Sequence, residues 1–325
     1  MAITIKKKSN LDEIPIIDIE PLINNANSSI LKKTGQKIRD ACKNFGFFYI
    51  KNHNIPKSHI DTLIPAIQAF FNLPLEDKLK IHINKSRIFR GYTPLGEEFT
   101  DNSYDWHECV DFGLEIQKND AIYQQLLGPN QWPENQDIFR TALERHWDLM
   151  IILGKKITQG LAISLELSKD YFLPYMDKSH SYMRVSHYPP NNHNHKINIG
   201  EGIGSHIDYG FLTILTQHKI GGLQIKNHND EWLNAPIIPG TFLINIGHMI
   251  QRWSNNYYSA TVHRVVSPKN NRYSIPFFFE PNFDTIVSPL EKFCDKDNRP
   301  HYKSLHFGDY LIDTFKNSYS SIIDY

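Results

Sequence analysis

His206-Ile207-Asp208, then His263, then Arg272-Tyr273-Ser274 are the residues of this 325-residue chain whose types and spacing can do chemistry. Two imidazoles and one carboxylate can occupy one face of a ferrous ion, leaving the opposite positions open for a bidentate keto acid and dioxygen. A guanidinium with a hydroxyl two residues further on can grip a distant carboxylate through charge-assisted hydrogen bonds. Together they suit a non-heme iron oxygenase. The metal-ligand types also suit zinc, which leaves a hydrolase or a binding protein open at this point.

His-x-Asp alone is a weak signal, because the chain holds four copies: His59/Asp61, His146/Asp148, His206/Asp208 and His228/Asp230. In Ser58-His59-Ile60-Asp61 the apolar spacing continues through Ile64, Ile67 and Phe70-Phe71 as in a helix, on which residues two apart point roughly 200° away from each other. There Ser58 is expected to cap the helix and Asp61 to complement its dipole. His146 and Asp148 sit in a second helical pattern, from Leu143 to Met150, and fail for the same reason. Asn227-His228-Asn229-Asp230 is a polar cluster between two apolar runs, the signature of a hairpin turn. Only Ser205-His206-Ile207-Asp208 follows a glycine-rich approach (Gly200, Gly202, Gly204) and leads into the β-prone run Phe211 to Leu215. At a strand end, side chains two apart share a face and can converge on one ion.

His263 lies in the β-branched run Ala260 to Ser267, and Pro268-Lys269-Asn270-Asn271 reads as a turn before Arg272 to Phe279. A turn centred on Lys269-Asn270 would pair Arg272 with Ser267, which shares a face with His263. Ligand and arginine would then look into one cavity, and a one-residue slip would undo this.

The elements that must position these residues follow from the pattern of the rest. Ile14-Pro15-Ile16-Ile17-Asp18 reads as an opening strand, Ile30 to Asn44 as a helix, and Phe45-Gly46-Phe47-Phe48-Tyr49-Ile50 as an aromatic strand. His53-Asn54-Ile55-Pro56 is a turn, Arg90 to Glu97 an ordered loop, and Trp106 to Phe112 an extended segment. Gln136 to Leu167 carries Leu143, Trp147, Ile151 and Ile157 at helical spacing, suiting a long helix packed on a sheet. Beyond it come short strands at Tyr182 to Val185, Phe211 to Thr216, Gly222 to Ile225, Thr241 to Asn245, Thr261 to Ser267 and Arg272 to Phe279. With no helices alternating between them, these predict an antiparallel double-sheet jelly roll, mainly β with α.

Composition excludes other classes. Thirty-five basic and thirty-five acidic residues give a net charge of zero, without the basic stripe that draws nucleic acid. Met1 to Lys8 has charges but no apolar stretch behind it, and nothing later approaches a membrane span. Cys42, Cys109 and Cys294 are too few and too scattered for a disulfide framework or a structural zinc site. A cytoplasmic protein is expected, with a small-molecule substrate, no nucleic acid or membrane partner, and no obligate protein partner evident.

These residues resemble the isopenicillin N synthase-like family of iron(II)/2-oxoglutarate oxygenases, from Ile14-Pro15-Ile16-Ile17-Asp18 and Gly46-Phe47-Phe48-Tyr49-Ile50 through Gly221-Gly222-Leu223-Gln224-Ile225 to Pro276-Phe277-Phe278-Phe279-Glu280-Pro281. The resemblance implies a distorted double-stranded β-helix core with a helical N-terminal region. It divides the chain into an N-terminal non-heme dioxygenase region (1–120), a supporting helix (121–175), the jelly-roll core (176–290) and a C-terminal extension (291–325). It further implies Fe(II) on His206, Asp208 and His263, and 2-oxoglutarate on Arg272 and Ser274 supported by Tyr188 and Ser186. Dioxygen is the co-oxidant and ascorbate a candidate reductant. Family positions facing the iron are Phe89, Tyr92, His107, Arg184, Phe278 and Glu280, with Arg184 placed to receive an anionic substrate group.

The implied reaction oxidises an unactivated carbon of a small metabolite, by hydroxylation, desaturation or cyclisation, with release of succinate and carbon dioxide. Relatives that keep the arginine and serine without using 2-oxoglutarate, as isopenicillin N synthase and aminocyclopropane carboxylate oxidases do, form the alternative, together with ethylene-forming relatives. One departure stands out: the family pattern has aspartate where this chain has His248. The imidazole either caps the following turn or faces the active site.

Overall fold

The computed structural model describes residues 13–116, 126–190 and 201–319; the charged start at 1–8 and Gly200 lie outside them. In chain order the strands are β1 (Ile16–Asp18), β2 (Phe47–Lys51), β3 (Gly91–Thr93), β4 (Phe99–Thr100), β5 (Ser103–Tyr104), β6 (Glu108–Gly113), β7 (Tyr182–Tyr188) and β8 (Ile203–His206). There follow β9 (Leu212–Gln217), β10 (Leu223–Lys226), β11 (Trp232–Asn234), β12 (Phe242–Ile246), β13 (His263–Val265), β14 (Arg272–Phe279), β15 (Ile286–Val287) and β16 (Leu305–His306). The helices are α1 (Glu20–Ile23), α2 (Ser28–Asn44), α3 (Lys57–Phe71), α4 (Leu75–Leu79), α5 (Asp137–Ser164), α6 (His248–Trp253) and α7 (Phe307–Tyr319). The major sheet runs β1-β2-β12-β9-β14-β7-β6-β3 and faces a minor sheet, β11-β10-β13-β8. This is the double-sheet roll that the run of short strands predicts.

Alternation with a period of two decides which side chains meet the interior. Along β14 and the residue that follows it, Tyr273, Ile275, Phe277 and Phe279 join the main apolar core, whereas Arg272, Ser274, Pro276, Phe278 and Glu280 line a cavity of about 500 Å³. On β7, Met183 and Val185 are core while Arg184, Ser186 and Tyr188 line the cavity; on β9, Ile214 and Thr213 divide in the same way. One face of the major sheet is therefore a platform for helices and the other a chemical surface.

The platform is completed by α5, whose stripe of Phe139, Leu143, Met150, Leu153, Ile157 and Leu161 is buried against the sheet and against α2 and α3. Gly154 lets the helix settle on the sheet, since a methyl there would stand 2.7 Å from the Phe279 ring. Asn27 caps α2, its side-chain oxygen accepting from Ile30 N at 3.1 Å. The chain then turns into β2 through Gly46, at φ +65°.

Three local expectations are corrected. Ser58 does not cap α3: Pro56 holds the N-cap position without a side-chain hydrogen bond, Ser58 lies in the first turn, and Asp61 accepts from Lys57. The stretch from Arg90 to Glu97, expected as a loop, contributes β3 to the major sheet, paired with β6. β13 and β14 do not form a hairpin, because β13 pairs with β10 and β8 in the minor sheet and β14 with β7 and β9 in the major one. Arg272 therefore stands opposite Tyr188 rather than Ser267. Residues 266–271 cross between sheets, and their turn-forming types specify a change of direction without specifying what the next strand pairs with. No helix among the described residues is long and apolar enough to cross a membrane.

Candidate active site

His206 ends β8 and His263 opens β13, and the two are directly paired across the antiparallel ladder, with ring centroids 4.3 Å apart. Such a pair brings side chains face to face. Asp208, two residues past the end of β8, completes the group: its Oδ1 lies 3.8 Å from His206 Nε2 and 3.6 Å from His263 Nε2. The backbone fixes both rings. His206 Nδ1 donates to the Gly204 carbonyl at 2.8 Å and His263 Nδ1 to the Thr261 carbonyl at 3.0 Å, which leaves both Nε2 lone pairs aimed at Oδ1. The other carboxylate oxygen is held by the Thr213 hydroxyl and, at 2.7 Å, by Asn245 Nδ2.

Electrostatics favour the ligand forms. Burial, reinforced by His263, lowers the His206 pKa to about 4 and keeps that imidazole neutral. Burial pushes the Asp208 carboxyl up, but the imidazoles of His263 and His206 and its two hydrogen bonds outweigh it, so the net shift is downward. Two imidazole nitrogens and a carboxylate oxygen within 4.8 Å of one another fit one divalent ion.

A second group, Glu98, His107 and Cys109, also gathers its ligand atoms within 4.8 Å. It suits a metal poorly. Arg184 already occupies the Glu98 carboxylate at 2.8 Å, and burial holds the Cys109 thiol protonated, whereas a metal needs the thiolate.

Further along the cavity wall, Arg272 is 1% exposed, and its guanidinium lies over the Tyr188 ring, 4.5 Å from the centroid. Its hydrogen-bond partner is the Ser274 hydroxyl at 3.2 Å; Nε has none, and no carboxylate pairs with it among the described residues. Ser186 Oγ, facing the same space, is likewise buried without a partner. A buried cation without an anion is strongly unfavourable, so this half of the cavity is built for an anionic guest. A carboxylate, which accepts from a guanidinium and hydroxyls at once, fits it.

The outer half differs. Arg184 is held by Asp111, with Nε and Nη2 donating at 2.8 and 2.7 Å, and by Glu98 at 2.8 Å. This corrects the expectation that Arg184 awaits an anionic substrate group: it is already neutralised by the framework. Of the other expected substrate residues, Phe278 and Glu280 line the cavity with Arg184, while Phe89, Tyr92 and His107 do not. Phe89 packs on Phe315, Tyr92 donates to Glu108 at 2.5 Å, and His107 stacks on the far side of Tyr188 at 5.3 Å. Burial pushes the Glu280 carboxyl up to about 8. His248 neither caps a turn nor lines the cavity: Gly247 is the N-cap of α6, and His248 Nδ1 lies 3.2 Å from the Tyr310 hydroxyl on α7.

Several site residues escaped the sequence reading. Thr213 and Asn245 orient Asp208, and Asn245 was detectable as the polar member of the otherwise apolar Phe242-Leu243-Ile244-Asn245-Ile246. Glu98 and Phe315 line the cavity from segments remote in sequence, with no local signal, and Tyr209 lines it as the residue directly after Asp208.

Residues 14–135 match the model of the non-haem dioxygenase in morphine synthesis N-terminal family, and residues 179–281 that of the 2OG-Fe(II) oxygenase superfamily. The chain is 36% identical over 319 residues to a homoarginine-6-hydroxylase of Oryza sativa subsp. japonica, covering 94% of this chain and 97% of the relative. It is 32% identical over 352 residues to a 1-aminocyclopropane-1-carboxylate oxidase of Dictyostelium discoideum, covering 93% and 94%. Its fold matches that of a full-length Neurospora crassa protein, solved in complex with alpha-KG and thymine, at TM-score 0.84 and 27% identity, over 96% of this chain and 99% of that one.

Proposed function

Because the chain belongs to the 2OG-Fe(II) oxygenase superfamily, as an isopenicillin N synthase-like 2-oxoglutarate-dependent dioxygenase, we propose that His206, Asp208 and His263 hold its Fe(II) and that Arg272, Ser274, Tyr188 and Ser186 hold 2-oxoglutarate. The prime substrate, a small organic molecule, enters the outer half of the cavity beside Arg184, Phe278 and Glu280. Iron, 2-oxoglutarate and dioxygen together supply the oxidising power, with succinate and carbon dioxide as products, and hydroxylation is the favoured outcome.

The chain's own residues bind and orient. The Gly204 and Thr261 carbonyls fix which imidazole nitrogen faces the ion, while Thr213 and Asn245 leave one Asp208 oxygen free for it. Arg272 supplies charge and a planar fork for the far carboxylate, and the Tyr188 ring keeps the guanidinium in place. The aromatic wall of Tyr182 and Phe278, stacked at 4.3 Å, shields the reacting face from water.

The observation that carries the assignment is the buried Arg272 guanidinium without a carboxylate partner. Anaerobic Fe(II) and 2-oxoglutarate are expected to give a weak visible charge-transfer band that Arg272→Ala diminishes. A full-strength band in that variant would remove the anchor assignment. Substrate oxidation without 2-oxoglutarate would favour the oxidase reading that the Dictyostelium relative represents. Homoarginine and thymine, named with two relatives, are first compounds for a screen read out by succinate release.

A further inference from the structure

Glu280 follows the last residue of β14 and is 2% exposed, yet its side chain faces the cavity. One carboxylate oxygen, Oε2, accepts from Phe211 N at 2.7 Å; Oε1 has no hydrogen-bond partner among the described residues. The carboxyl lies so close against Gly210 that a methyl there would stand 1.6 Å from Oε1, so a glycine is required for it to sit there at all.

Among the described residues the surroundings are short of positive charge. Outside the metal-binding group and Arg272, the described residues that line the cavity bring the carboxyls of Glu98, Asp101, Asp105 and Glu280 and one guanidinium, that of Arg184. Arg184 is already committed to Glu98 and Asp111. A buried carboxyl with a free oxygen and no counterion is the electrostatic inverse of the Arg272 end: burial favours a proton on it while the cavity is empty, and a cation that takes the place of that proton restores the carboxylate. The rest of this wall is aromatic: Tyr182 stacks on Phe278 at 4.3 Å and meets Phe315 edge-on at 5.7 Å, and Tyr209 lines the same space. Ring faces attract cations, and the effect strengthens when water is excluded.

We propose that the prime substrate carries a cationic nitrogen group, a guanidinium or an ammonium, which docks on the Glu280 carboxylate between these rings. The inference rests on the dioxygenase reading above and deepens it, making Glu280 the residue that selects substrate by charge. A neutral pyrimidine can donate an N–H to the free oxygen but brings no compensating charge, and an anionic acid would be repelled, so both are disfavoured.

The test is anaerobic calorimetric titration of the chain loaded with Fe(II) and 2-oxoglutarate, using L-homoarginine, its neutral urea counterpart L-homocitrulline, L-lysine, thymine and indole-3-acetate. At least one cationic compound should bind about tenfold or more tighter than any neutral or anionic one, as expected for a hydrogen bond to a charged group. Glu280→Gln should erase the preference for homoarginine over homocitrulline, and Glu280→Asp should keep part of it. A panel without cation preference, a wholly silent panel included, overturns the proposal, as does a glutamine variant that keeps the preference. Should that variant fail to fold, the wild-type contrast between guanidine and urea decides alone. The visible 2-oxoglutarate band, recorded before any substrate is added, separates the two readings. Its absence counts against the dioxygenase site, whereas a normal band without cation preference counts only against Glu280.

Discussion

Among the described residues two pairs of histidines face each other, His206 with His263 and His59 with His146, and three of the four belong to a His-x-Asp copy. The pairs are alike in ring separation, 4.3 and 5.3 Å, and opposite in what surrounds them. His206 and His263 each give Nδ1–H to a backbone carbonyl, so that both Nε2 lone pairs converge on Asp208. His59 and His146 use their ring nitrogens on each other at 3.2 Å, and His146 reaches the Thr216 hydroxyl at 3.3 Å, with Asp61 turned out to Lys57. On the function proposed above, a histidine pair can hold a metal when the backbone takes the Nδ1 nitrogens and a carboxylate shares the focus. Without these it is core packing.

The largest expected effect breaks the first pair. Asp208→Ala should abolish succinate formation, a loss of at least about 10³-fold, since removing a ligand should exceed the 10- to 100-fold typical of its hydrogen-bond partners. Asp61→Ala and Asp148→Ala should stay within about twofold of wild type, because exposed pairs such as Lys57–Asp61 contribute little. Equal losses at all three positions would make the distinction between the pairs wrong.

Next comes a crossover in what each pair supports. His146→Ala should lower unfolding free energy by about 2–4 kcal/mol, through a cavity in the core and the lost partners of His59 and Thr216, and leave Fe(II) affinity unchanged. His263→Ala should do the reverse, removing iron binding with a smaller stability change. Chemical denaturation and anaerobic iron titration on both variants check this; a stability loss at His263 as large as that at His146 would mean that the metal pair is also structural.

The asymmetry was partly legible in the sequence, and the reason is local. Helical spacing around His59 and His146 and the glycine-rich approach to His206 are properties of short segments, so they revealed which copy could converge. The alternation that sends Arg272, Ser274, Phe278 and Glu280 to one face is equally local. What stayed hidden depends on long-range pairing. Glu98 and Asp111 lie 86 and 73 residues before the arginine they neutralise, so nothing near Arg184 announced that it was already committed. The placement of β13 and β14 in different sheets was hidden in the same way, because residues 268–271 encode a bend and not a partner strand.

A smaller effect sharpens the account of the metal pair. Asn245→Ala removes the 2.7 Å hydrogen bond to Asp208 Oδ2 and leaves the carboxylate to the Thr213 hydroxyl alone. Iron affinity should fall by about 10-fold, at the low end for such a partner, with the fold intact by circular dichroism. An unchanged affinity would assign Asn245 to packing rather than to positioning.

The smallest effect is read from pH, on the core pair. Burial, with His59 beside it, lowers the His146 pKa from 6.5 to about 3, so the folded state keeps this ring neutral where the unfolded chain would protonate it. Between those values the unfolded state binds the extra proton, so the contribution of His146 is fully present above pH 6.5 and is lost as pH falls towards 3. At one unit below 6.5 the loss is about 1 kcal/mol. The quantity to measure is the difference in unfolding free energy between wild type and His146→Leu from about pH 7.5 to about pH 5, which cancels the carboxylates common to both. A difference that shifts towards the leucine variant as the solution is acidified confirms a ring held neutral by burial. A flat difference would mean that the imidazole finds a proton inside the fold, and the contrast with the metal pair would have to rest on geometry alone.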